Sequence, residues 1–270
     1  MRVFIFGAGK LGSPMARIAR AAGHTVTLRA ARSGLPKRPV SADLVIFALR
    51  DRDLTANAEA WVAAGLLART TCVVHVSGAL GAEVLAPLHA VGVAVAQMHP
   101  MISFADPSFT PPLAAGGCHI AGDARAVRCA RAFAKSLGLH SRSYPALDTV
   151  GYHAAAAFVA NGACALAASG ARVLEAAGVP ASDVHLWLGP LLVSVGYNVQ
   201  HAGFPAALTG PVRRGDAAAV AKHAENLARR APEVLALYRA ALSAQVVMAR
   251  ELGEVAESSL REIEAMAVQA

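Results

Sequence analysis

Three glycines near the start leave this chain few choices of fold. Gly7-Ala8-Gly9-Lys10-Leu11-Gly12 follows the apolar run Val3-Phe4-Ile5-Phe6 and leads into Leu11 to Ala22, whose apolar residues recur at helical spacing and stop at Gly23. Each glycine has its own task in such a turn. The first permits a tight reversal, the second lets a ligand come up against backbone, and the third lets the helix pack closely on the strand. The helix start then offers unpaired N–H groups, a natural seat for a diphosphate.

The same alternation continues. Apolar runs at 25–28, 44–48, 71–76, 93–97 and 118–122 read as strands, with helical patterns at 54–64, 81–88 and 124–137, and the alternation ends near 140–144. Strands alternating with helices predict an α/β fold, a doubly wound and mostly parallel Rossmann sheet. From Asp148 onward the pattern is helical throughout, with candidate helices at 148–177, 181–202, 216–229, 232–252 and 254–268. Pro180 and Pro232 fall near helix starts, where a missing N–H is tolerated, and Asp216 reads as an N-cap. The expected organisation is a dinucleotide-binding domain over 1–146 and an all-α substrate and dimerisation domain over 147–270.

Composition narrows the function classes. The chain is 55% hydrophobic and 16% charged, which rules out disorder as its general state. A formal charge of +7 suits anionic ligands, but 5% aromatic content and the lack of a Lys/Arg block argue against nucleic acid. Cys72, Cys118, Cys129 and Cys164 form no metal-ligand spacing and are read as small buried thiols in a reducing, cytoplasmic setting; no metal is expected. The apolar stretch 154–177 carries Asn161, Arg172 and Glu175, so it is expected to be a buried helix and not a membrane span. A helical half this apolar predicts a homodimer.

The end of the second strand bears on the cofactor. NAD sites place Asp or Glu there for the ribose hydroxyls. This chain has Arg29, Arg32 and Ser33 instead, with no carboxylate before Asp43, which favours NADP (NADPH) and its 2′-phosphate. The alternative is that these arginines are solvated loop charges. The predicted cofactor contacts are Gly7, Ala8, Gly9, Lys10, Leu11 and Gly12, then Arg29, Arg32, Ser33, Ala48, Leu49, Arg50 and Ser77.

A nicotinamide in this fold lies outside the carboxyl ends of the central strands. Reducing a carbonyl there leaves charge on oxygen, which needs a proton or hydrogen-bond donor. His153, with Asn161 two helical turns on, is the first catalytic candidate, and His99 is the second. Each has a structural alternative: His153 as a cap or packing residue, His99 as a partner for the loop that Pro100 stiffens. Ser77, Met101, Thr209 and Arg214 are candidates for holding a small carboxylate substrate. The last two lie on the loop 208–216, which reads equally well as a helix-helix corner.

FGAGKLG (6–12), HVSGAL (75–80), HPMISF (99–104), GYHAAAAFVANGACAL (151–166) and LTGPVRRGD (208–216) together carry a resemblance. The chain resembles predicted oxidoreductases that join a Rossmann-like domain to a helical C-terminal domain of unknown function. These are similar in turn to ketopantoate reductases, 3-hydroxyacid dehydrogenases and pyrroline-5-carboxylate reductases. The resemblance implies NADP or NAD use and a helical domain that often dimerises. In the wider superfamily a catalytic lysine stands where His153 falls, with asparagine near Asn161, while Ala157 replaces a further asparagine of ketopantoate reductases. The HPM segment is also similar to one in prephenate dehydrogenases. The expected function is hydride transfer between NADPH and a small 2-oxo acid, resembling 2-dehydropantoate, or its hydroxy acid. The alternatives are an imine reductase and a non-catalytic NADP-binding module.

Overall fold

The computed structural model describes residues 1–268, in two compact units: Met1–Val159, and a second that begins at Ala160. In the first, seven strands form one sheet: β1 (Arg2–Phe6), β2 (Thr25–Arg29), β3 (Leu44–Phe47), β4 (Cys72–His75), β5 (Ala94–Pro100), β6 (Gly117–Gly122) and β7 (His140–Arg142). Their spatial order is β2-β1-β3-β4-β5-β6-β7. The first five are parallel. β6 runs antiparallel to β5, because the connection between them carries no crossover helix to bring the chain back to its starting end.

Neighbouring residues of each strand point to opposite faces, and the two faces have separate cores. On one, Ile5, Ile46, Val74 and Met98 pack with Met15 and Ala19 of α1 (Gly12–Ala21). Phe133 of α4 (Ala124–Ser136) joins the same core. On the other, Phe6, Phe47, Val73 and Val95 meet Trp61 of α2 (Leu54–Ala63) and Leu88 of α3 (Ala86–Ala90). The Trp61 ring lies 5.3 Å from Phe6 and 5.1 Å from Phe47. The helix expected at 81–88 is a 3₁₀ turn, Ala82–Leu85, followed by α3, with Pro87 in the first turn of α3, where a missing N–H costs no bond.

The chain order reverses between β1, which is flanked by β2, and β3, which leads on to β4. Crevices for ligands open outside the carboxyl ends of strands at such a switch point. Those ends are Gly7 and Ala48.

The helix α5 (Thr149–Ala176) begins in the first unit and continues into the second. The second unit adds α6 (Val184–Ala202), α7 (Gly210–Arg213), α8 (Ala217–Arg230), α9 (Pro232–Leu252) and α10 (Glu257–Val268). Val212, Val220, Leu242, Val246 and Ile263 form its core. Asp216 caps α8 by accepting from the Ala219 amide at 3.0 Å. Pro232 opens α9, whereas Pro180 lies outside α6, in a turn closed by Asp183 N–H on the Pro180 carbonyl.

One expectation is corrected. The stretch 154–177 is helical but not buried: no residue of α5 is buried within the chain, and Cys164 on it is exposed. The helix is long and apolar enough to cross a membrane by length and composition. Its apolar surface finds too few partners within one chain to be covered.

Candidate active site

The glycine loop has the geometry its spacing implies. Gly7 adopts φ +121°, and a side chain there would run into the carbonyl of Ala48. A side chain on Gly12 would strike the carbonyl of Gly7, so these two glycines let β1, β3 and α1 close on one another. Gly9 faces open space. Among the described residues no backbone acceptor takes the amide hydrogens of Gly9, Lys10 or Leu11. A cradle of free amides with a missing side chain at its centre fits a dinucleotide diphosphate.

At the end of β2 the two arginines have different situations. Arg29 folds back on its own loop, donating to the carbonyls of Ser33, Gly34 and Leu35 at 2.7, 2.8 and 3.0 Å. Arg32 and Ser33 lie exposed on the 3₁₀ turn Ala31–Ser33. Lys37 and Arg38 line, with Arg29, a groove of about 530 Å³ beside β2. Ala48 and Leu49 are half-buried after β3, and Arg50 is exposed.

Beyond β4 and β5 the structure collects a group of histidines. His99, near the end of β5, lies 5.8 Å from His153 between ring centroids. A Cβ on Gly78 would sit 2.5 Å from His153 Nδ1 and 2.7 Å from His99 Nε2, so the two nitrogens converge on the one position without a side chain. His99 Nδ1 is 3.4 Å from the Tyr152 hydroxyl. Burial holds His99 at about 4, with the neighbouring His153 and His119 adding to the effect, so its ring is neutral at physiological pH. Burial also raises the Tyr152 hydroxyl above its usual range, keeping it a proton donor. With Tyr152 donating to Nδ1, the His99 proton belongs on Nε2, the nitrogen that faces Gly78.

The loop after β4 is held by His75. Its Nε2 donates to the Gly81 carbonyl at 2.9 Å, and its Nδ1 accepts from the Ser77 amide at 3.3 Å. This arrangement needs a neutral ring, and burial lowers the His75 pKa accordingly. Ser77 Oγ is buried and, among the described residues, has no hydrogen-bond partner. Met101, exposed just past β5, keeps its backbone in the sheet by donating to the Gly117 carbonyl. Among the described residues no three His, Cys, Asp or Glu side chains are grouped to hold a metal ion.

Residues 31–100 match a Rossmann-like domain, and residues 117–245 match a domain of unknown function, DUF2520. The chain joins a Rossmann-like domain to a DUF2520 domain. The DUF2520 match takes in β6, α4, β7 and α5 to α8, and ends within α9.

Solved structures share the fold at low identity. One is a Bacteroides fragilis protein whose name suggests an NADP oxidoreductase, at 18% identity and TM-score 0.65 over 94% of this chain and 98% of that one. A Thermotoga maritima protein gives 21% and 0.58 over 99% and 100%. An imine reductase of Streptomyces aurantiacus gives 19% and 0.54 over 97% and 99%. No curated protein sequence matches the chain.

The first unit thus brings His99 and His153 together at Gly78, next to Ser77, and also holds the glycine loop. Asn161, Thr209 and Arg214 belong to the second unit and are exposed there. In the 208–216 loop the structural work falls to Arg213, which pairs with Glu254 at 3.0 Å and donates to the carbonyls of Ala206 and Leu208. Sequence reasoning missed Tyr152, His75 and Gly78. The only available signal was proximity: Tyr152 adjoins His153, and the other two flank Ser77.

Proposed function

We propose that the protein is an NADP-dependent oxidoreductase that reduces a small 2-oxo acid, or oxidises the matching hydroxy acid. The observation that carries this reading is the convergence of His99 Nε2 and His153 Nδ1 on Gly78, in the same unit as the free amides of the glycine loop. The nicotinamide cofactor, when bound, supplies or accepts the hydride. The protein's own groups handle the oxygen. His99 offers a neutral N–H whose orientation Tyr152 holds, so it stabilises developing negative charge without first losing a proton. His153 stands beside it to deliver the proton that completes the hydroxyl group. Ser77 Oγ, buried and without a hydrogen-bond partner among the described residues, adjoins Gly78 in the chain.

Arg32, exposed and outside the clamp that occupies Arg29, is the residue we assign to the 2′-phosphate, together with Lys37 and Arg38. The test is a titration with NADPH and, separately, NADH, followed by turnover of a panel of 2-oxo acids and cyclic imines. Preference for NADPH with oxo-acid turnover supports the reading. Turnover of imines alone replaces the substrate class, and tight NADPH binding with no turnover leaves a binding module.

We further propose that α6 and the second-unit part of α5 pair with a second copy of the chain. Trp187 and Val193 on α6 are 67% and 74% exposed, and Leu186, Leu191 and Tyr197 accompany them. An apolar surface of this kind on one helix is typical of an interface.

A further inference from the structure

Gly78 lies in a loop, 77–81, that the sheet ladder does not hold. Among the described residues the amides and carbonyls of Ser77, Gly78 and Ala79 bond to no other backbone group. Ser77 and Gly78 are buried, and buried backbone groups need partners. Side chains supply them. His75 takes the Ser77 amide and the Gly81 carbonyl. Gln97, fully buried on β5, donates from Nε2 to the carbonyls of Ser77 and Gly78 at 2.9 and 3.4 Å. Thr149, the first residue of α5, donates from Oγ1 to the Ala79 carbonyl at 3.0 Å. That hydroxyl is not needed to start the helix, because Asp148 already accepts from the Gly151 amide at 3.0 Å.

Gln97 and Thr149 stand in matching places. Gln97 precedes His99 by two residues on a strand, and so shares its face of the sheet. Thr149 precedes His153 by four residues on a helix, one turn earlier on the same side. Each imidazole is thus carried by an element whose preceding repeat grips the loop. The Gly78 carbonyl is held from the strand of His99, and the carbonyl of the next residue from the helix of His153. We propose that Gln97 and Thr149 are positioning residues, which set the distance at which His99 Nε2 and His153 Nδ1 meet across Gly78. Their effect on turnover rests on the proposed oxidoreductase activity.

The experiment compares the full-length wild-type chain with Thr149→Val, which keeps the shape and removes the donor, and Thr149→Ser, which keeps the donor. The first readout is the nuclear Overhauser contact between the His99 and His153 rings, which does not depend on turnover. It is expected to weaken at least about twofold in Thr149→Val and to return in Thr149→Ser, since only the second makes the bond. With NADPH and the 2-oxo acid, kcat is expected to fall about tenfold in Thr149→Val with KM nearly unchanged, and to recover in Thr149→Ser. In a His153→Ala background Thr149→Val is expected to cost nothing further, because Thr149 acts through His153. Gln97→Met should weaken the same ring contact; as a fully buried change it risks misfolding, so the Thr149 pair decides. An unchanged ring contact in Thr149→Val, no recovery in Thr149→Ser, or the same tenfold loss without His153 would each overturn the proposal. A weakened contact in Thr149→Val beside a wild-type chain that turns over neither oxo acids nor imines would sink the oxidoreductase reading and uphold the positioning.

Discussion

Gly78 is where a single methyl group does most damage. Its missing side chain is the space into which two imidazole nitrogens point. Gly78→Ala is therefore expected to lower turnover by about a hundredfold, since misplacement by about an ångström has that effect, while NADPH affinity stays unchanged. Steady-state kinetics with a separate binding titration checks this. His153→Ala is expected to cost about a hundredfold or more in turnover, again with cofactor affinity intact, and unchanged turnover would remove it from the mechanism. At the other end of the site, Arg32→Ala should weaken NADPH about tenfold and leave NADH unaffected, because only one of the two carries the phosphate. Arg29→Ala should instead loosen its loop and weaken both, since its guanidinium is committed to backbone carbonyls.

Among the elements, α5 and α6 carry the largest unmet demand. Their composition reads as core, yet in one chain Trp187 and Val193 face outward. Sedimentation at micromolar concentration is expected to show a dimer, and Val193→Glu to shift it to monomer, by placing a charge in an apolar contact. A monomeric wild-type protein would defeat the pairing. Strands and helices of the first unit were legible because their patterns are local. Val3–Phe6 is apolar because it is covered on both faces, and α1 has one apolar stripe because it is covered on one. The antiparallel course of β6 was not legible, since direction depends on what the preceding connection contains.

For the molecule as a whole, the buried histidines make stability depend on pH. His99 is held at about 4 against 6.5 in an unfolded chain, and burial lowers His75 and His119 in the same direction. A folded pKa below the unfolded value means that the unfolded chain takes up protons first as the pH falls. The stability is then fully present above about 6.5 and is lost as pH falls towards 4, by about 1 kcal/mol per pH unit for His99. Urea unfolding across that window checks it. The His99→Asn variant should lose stability less steeply, and parallel curves would exclude the histidine as a cause.

The glycine spacing, the alternation of runs and the switch to helical periods after Asp148 settled the fold class and the close-packed glycine turn at residues 7–12, because those features depend on neighbours in the chain. The histidine site is of another kind. His75, His99 and His153 come from different segments of the chain: the pairing of β4 with β5 brings the first two to one edge, and the packing of α5 adds His153. Whether Arg29 is free or tied, and whether an apolar helix is covered, depends equally on what lies nearby in space. Tertiary structure decided these points, since partners distant along the chain leave no periodic mark in the sequence.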